Sequence, residues 1–253
     1  MKFINNLILV LSILFTSTSF AVDKKYHEDI SLIKSAFKQQ DKKAIATFIS
    51  YPLGREFPIP AIQNEAELVN RFDEVFDKKF IELIANSDLD KDWSMMGWRG
   101  IMFSSGKLWL DSDNKIRAIT YQSSKEKEIK ASLIEKQKQT LHQSLRVYKK
   151  PILEWKTSKF HIRIDDLGDY NYRYSSWSID KQTRDKPDLI LENGKMVFEG
   201  SGGNHHYSFS NGKYIYRCYV SVLGNSKSAP GILDVFKGKE HILSDDVIEV
   251  LSR

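Results

Sequence analysis

Apolar positions spaced near 3.6 residues open the regular part of the chain. Ile30, Ile33 and Phe37, then Ile45 and Phe48, follow that period between residues 27 and 50. This predicts two amphipathic helices, with the polar stretch 39–43 as the turn between them. Pro52 ends the second helix, because its ring disfavours helical backbone in the residue before it. Residues 57–60 read as extended. A third helix is expected over residues 64–84, with Leu68, Phe72, Val75, Phe76 and Leu83 on one side. Asn64 is its N-cap, and Glu65 and Glu67 suit the positive helix end.

After Asp88 the period changes. Residues 93–121 read as an antiparallel strand set, turning at Ser104-Ser105-Gly106-Lys107 and again at Asp111-Ser112-Asp113-Asn114. The second turn alternates carboxylates and an amide, but it lacks the glycine and distal glutamate of a calcium loop and reads as a plain hairpin turn. Residues 125–147 predict another helix, on which Ile129, Leu133, Leu141 and Leu145 fall at multiples of four with Gln137 in the same line. So narrow a stripe fits a connecting helix packed along one side, and its residues are not bulky enough for a membrane-surface helix. Pro151 marks a domain boundary. Beyond it, residues 160–164, 170–174 and 207–209 alternate, with Gly168-Asp169, Asn193-Gly194 and Asn211-Gly212 as turn signals. At least six short strands in about a hundred residues imply a small antiparallel barrel or sandwich.

The N-terminus carries an address. Lys2 precedes an apolar run, residues 7–15, broken only by Ser12, and Ser19-Phe20-Ala21 supplies small residues at −3 and −1. This is a secretory signal peptide cleaved after Ala21. The run is too short for roughly 30 Å of hydrocarbon, no second such stretch follows, and no cysteine near the cleavage site can take a lipid. The expected location is the periplasm or the exterior. The expected plan is α+β: residues 1–21 the signal peptide, 22–122 a helix-plus-curved-antiparallel-sheet module, 123–150 a linking helix, and 151–253 an all-β module.

Several segments of the first module carry a resemblance: Phe48-Ile49-Ser50-Tyr51-Pro52-Leu53, Phe72-Asp73-Glu74-Val75-Phe76, Gly97-Trp98-Arg99-Gly100-Ile101-Met102-Phe103 and Gly106-Lys107-Leu108-Trp109-Leu110. Residues 24–121 resemble the N-terminal module of secreted bacterial two-domain proteins of unknown function, which look like the nuclear transport factor 2-like fold. The resemblance implies a cone of helices wrapped by a curved sheet. It implies nothing about chemistry, since that fold hosts enzymes and binding modules alike.

Charge and chemistry narrow the picture only partly. The formal net charge is +5, and residues 115–150 hold ten basic and three acidic side chains. That segment is read as a solvated helix face, with contact to an acidic partner as the alternative. Nucleic acid is disfavoured by the compartment. The single cysteine, Cys218, lies in a strand-like run and is expected to be a buried, inert thiol. No Gly-x-Ser-x-Gly elbow, no His-Glu-x-x-His and no cofactor or metal motif is present. Asp165-Asp166 reads as a pair of solvated acids beside a turn. Trp93, Met95, Met96 and Trp98 are core residues or the lining of a cone cavity.

The candidate binding residues lie in the β-module. Arg163, Arg173 and Trp177 alternate with apolar residues and are expected on an exposed sheet face suited to a partner. Asn204, His205 and His206 end the glycine-rich loop 200–206; adjacent histidines on a strand diverge and do not chelate one ion. The reading is a non-enzymatic periplasmic binding protein of inhibitor or immunity type, its partner another envelope or incoming protein. The alternative is an enzyme or small-ligand binder using the N-terminal cavity.

Overall fold

The computed structural model describes residues 20–200, 202–223 and 228–252. The expected signal peptide lies outside them as far as Ser19. The chain divides into two compact units, one of residues 1–51 and 78–121, the other of residues 52–77 and 122–253. No helix among the described residues is long and apolar enough to cross a membrane.

In the first unit α1 (His27–Gln39) buries Ile30, Ile33 and Phe37, and α2 (Lys42–Thr47) buries Ile45. The turn between them forms because Gln40 adopts left-handed backbone and Asp41 Oδ1 accepts from the amides of Lys43 and Ala44, both at 3.0 Å. The single helix expected over residues 64–84 is three: α3 (Glu65–Asn70), α4 (Phe72–Val75) and α5 (Lys78–Ala85). Asn64 caps α3 as expected, accepting from Glu67 N at 2.9 Å. The break before α5 falls where the chain passes from one unit to the other. Leu68, Phe72, Val75 and Phe76 are buried in the second unit, Phe80 and Ile84 in the first, and Leu83 is exposed.

The sheet of the first unit runs in chain order, β1 (Phe20–Ala21), β2 (Trp93–Met95), β3 (Ile101–Phe103), β4 (Leu108–Leu110) and β5 (Ile116–Ile119), all antiparallel. Its turns fall at Ser104–Gly106 and Asp111–Asn114, where Asp111 Oδ1 accepts from Asp113 N and Lys115 N at 3.0 Å. Trp93 and Phe103 are fully buried with ring centroids 4.5 Å apart, and Trp93 Nε1 donates to Ser87 Oγ at 3.0 Å. Met95 and Met96 are half-buried, and Trp98 is exposed beside Arg99.

The second unit contains a closed eight-stranded barrel. Its strands are β6 (Lys150–Thr157), β7 (Phe160–Gly168), β8 (Asn171–Ser178), β9 (Leu189–Phe198), β10 (His205–Asn211), β11 (Tyr214–Val220), β12 (Gly231–Lys237) and β13 (Glu240–Ser252). Each pairs antiparallel with the next, and β13 closes on β6. This up-and-down closure leaves no free edge. Two strands make the corners. The first half of β9 pairs with β8 and its second half with β10; β13 changes likewise from β12 to β6. Asn193-Gly194 is therefore not the expected hairpin. It lies inside β9, with Asn193 in left-handed backbone at a bulge where Tyr172 pairs with Gly194 and Tyr174 with Leu191. Glycine is required there because a Cβ would stand 2.0 Å from Cε1 of Phe209 inside the barrel. Gly168 and Gly212 do mark hairpin turns.

The helix expected over residues 125–147 is α6 (Ser124–Thr140), followed by a separate turn of 3-10 helix, Gln143–Leu145. Ser123 caps it, accepting from Glu126 N at 3.0 Å, and Arg55 grips Glu126 through two hydrogen bonds of 2.5 Å with both side chains 1% exposed. Ile134, Leu141, Leu145 and Tyr148 pack with Trp177 against the outer side of the barrel.

Candidate functional site

Inward-facing side chains fill most of the barrel. Trp155, Ile162, Ile164, Tyr174, Phe209, Cys218 and Leu233 are buried and form one cluster. An eight-stranded barrel has just enough room for its own side chains or for one small ligand. Here the filling is incomplete at one end. A cavity of about 290 Å³ lies there, walled by the rings of Phe160, Tyr174 and Tyr216 and by Leu189, Leu233, Val235 and Leu243. It reaches the surface. On β11, Tyr216 and Cys218 face the same way, yet Cys218 is sealed while Tyr216 keeps accessible area. Phe160, Leu189 and Leu243 are likewise only partly buried. The rim includes the exposed Ser178, Asp188 and Ile242.

Polar groups in the cavity are few. Burial pushes the Tyr174 phenol well above its ordinary range, and Ser176 is its hydrogen-bonding neighbour. The Asp188 carboxylate accepts from Ser178 N at 2.8 Å and Ser178 Oγ at 3.0 Å, and pairs with Lys181. Those bonds, Lys181's foremost, hold its pKa down to about 2. The lining contains one carboxylate and no cation. Such a wall can hold an apolar body and orient one polar group.

Of the residues singled out by sequence, Trp177 borders this cavity and the others fall elsewhere. Arg163, Arg173 and Trp177 lie on the outer face of β7 and β8, but α6 and the 3-10 turn cover that face. Arg163 and Trp177 have no exposure and Arg173 has 3%. Asp165, expected to be a solvated turn acid, is fully buried between the two arginines, 2.7 Å from Arg163 and 2.8 Å from Arg173. Its Oδ1 faces Arg163 as an ion pair without hydrogen-bond geometry. Glu154 extends the network, 2.9 Å from both Arg163 and His161. Burial alone would raise Glu154, but the His161 hydrogen bond and the Arg163 charge outweigh it and hold its pKa below the usual carboxylate value. Arg173 donates to the carbonyls of Leu145 at 2.7 Å and Val147 at 3.1 Å, and Arg163 to Gln137 Oε1 at 2.9 Å. Burial carries Tyr148, stacked near Arg163, to a pKa of about 12. Trp177 Nε1 donates to Asp185 O at 2.9 Å. These residues clamp a helix to the barrel.

Asn204, His205 and His206 lie at the opposite end. Asn204 ties two loops together: Oδ1 accepts from Val222 N and Leu223 N at 2.8 Å, and Nδ2 donates to Leu223 O at 3.1 Å. A Cβ on Gly202 would come within 2.6 Å of Leu223 Cδ1, the end of an exposed side chain that can turn aside. The histidines diverge: His205 Nδ1 approaches Gly203 O at 2.8 Å, while His206 Nδ1 pairs with Glu199 at 2.7 Å. Around this loop pair Val197, Phe198, Val222 and Leu223 are exposed, Phe198 by 66%. Cys218 faces the barrel interior, and burial pushes its thiol far up, as befits an inert group.

Apart from Trp177, the cavity residues escaped the sequence reading although their signal was present. Tyr172, Tyr174 and Ser176 alternate with Arg173, Ser175 and Trp177; alternation separates two faces without saying which faces inward. Comparison of the chain with protein-family models, curated proteins and solved structures finds no match.

Proposed function

We propose that this chain is a non-enzymatic binding protein, exported to the periplasm, whose barrel takes a small apolar molecule into its open end. The observation that supports this is the 290 Å³ cavity, with aromatic and aliphatic walls and partly accessible inward-facing side chains. An apolar cavity of about 150 Å³ accommodates benzene, so this one suits a body of one to two rings. The N-terminal unit supports the alternative less well: Trp93 and Phe103 are buried against each other, and its cavity of about 370 Å³ is edged by the charged side chains of Lys79, Glu82, Asp92 and Lys107 and has one aromatic residue, Tyr121, in its lining. The test is titration of the full mature chain with 1-naphthol, followed by ring fluorescence and calorimetry. Saturable binding is expected, and Leu243→Trp, which fills the rim from a half-buried position, should abolish it without lowering the melting temperature. Absence of saturable binding at millimolar naphthol, or undiminished binding to the folded variant, sinks the reading.

A second reading, contact with another protein, rests on the exposed Val197, Phe198, Val222 and Leu223 around the loops joined by Asn204. Exposed large apolar side chains clustered on loops suit an interface.

A further inference from the structure

Resting on the barrel-mouth reading above, we infer that the ligand is a compact aromatic molecule bearing a cationic group, and that Asp188 selects it against anions. Four aromatic residues, Phe160, Tyr174, Trp177 and Tyr216, line the cavity, and the Tyr174 and Tyr216 centroids stand 5.7 Å apart. Ring faces carry negative quadrupole potential, so they favour a flat aromatic partner and tolerate an attached cation. The charge at the rim agrees in sign. Asp188 is the one carboxylate in the lining, and no arginine, lysine or histidine lines the cavity. A fatty acid or other anion entering the mouth would lose its hydration, gain no cationic partner from the wall and face Asp188.

Lys181 sets the strength of this selection. It lies on the connection between β8 and β9 and pairs with Asp188 at the surface, where the two side chains are 44% and 41% exposed. It therefore offsets part of the carboxylate's charge. Ser178 fixes the same carboxylate from the backbone amide and the hydroxyl, so Asp188 keeps its position when Lys181 is removed. An ammonium on the ligand takes the lysine's place.

The experiment compares three probes that share the naphthyl ring on the full mature chain by calorimetry: 1-naphthylmethylamine, 1-naphthol and 1-naphthoate. The amine should bind about tenfold more tightly than the naphthoate, with naphthol between them, since a unit charge near a half-exposed carboxylate shifts affinity about threefold to fivefold. Lys181→Ala should widen the gap. Asp188→Asn, whose side-chain oxygen can still accept from Ser178, should close it. If naphthol fails to bind, the mouth is not a binding site and the inference falls with it. If naphthol binds but naphthoate matches the amine, or the preference survives in Asp188→Asn, the mouth stands and the charge selection is overturned.

Discussion

Replacing Asp165 with alanine should destabilise the barrel more than any surface substitution, and the structure says how. Asp165 is fully buried and, among the described residues, is the one carboxylate within ion-pair distance of Arg173, at 2.8 Å. Without it, Arg173 keeps only the carbonyls of Leu145 and Val147, which supply dipoles and no countercharge. Removing one partner of a buried ion pair costs about 3–5 kcal/mol, because the remaining charge stays desolvated and unpaired. For a chain of this size that corresponds to a melting shift of roughly 6–20 °C. The double variant Asp165→Leu with Arg173→Met removes both charges, while Arg163 retains Glu154 and Gln137, each at 2.9 Å. It should therefore be more stable than Asp165→Ala alone, although the freed carbonyls cost about 1–3 kcal/mol of that gain. The assay is urea unfolding of the full chain, followed by far-ultraviolet circular dichroism and tryptophan fluorescence. The two compact units can unfold separately, and the transition that moves must be the barrel's. A loss below about 1 kcal/mol, the range of solvent-exposed pairs, would refute the account. So would a double variant less stable than the single one.

Two further outcomes follow from the same packing. Glu154 titrates below 4.5 in the folded chain, so its contribution to stability is present above the unfolded value and is lost as pH falls through the folded one; unfolding measured from pH 6 to pH 2 should show a decline that Glu154→Gln makes shallower, and equal slopes would contradict the linkage. Gly194→Ala should cost about 1–3 kcal/mol through overpacking against Phe209, since its Cβ would meet that ring at 2.0 Å. Adding Phe209→Leu should recover part of the loss, and a neutral Gly194→Ala melt would show that the ring moves freely.

What the sequence determined by itself is local. The two first helices, their turn at Asp41, the Asn64 cap, the hairpins at Gly106 and Asn114 and the strand-rich character beyond Pro151 all follow from periodicity, capping and turn chemistry within a few residues of each position. So did the burial of Cys218 and the divergence of His205 and His206, because strand alternation fixes both. Tertiary structure decided the rest. The pattern of residues 64–84 is continuous, yet the chain forms three short helices there, and the last of them belongs to a different compact unit from the first two. Asn193-Gly194 has the chemistry of a turn but becomes a bulge, because barrel closure needs β9 to pass from one neighbour to the next and Phe209 needs the space a side chain would take. Arg163, Arg173 and Trp177 look like an open binding face, since nothing in a strand records that a helix from earlier in the chain lies over it; the pairing with Asp165 and the cover of Ile134 and Leu145 exist only after folding. The candidate site went unread for a related reason. A cavity is the space that side chains from six strands fail to fill, a property of their summed volumes in three dimensions, and no single strand carries it.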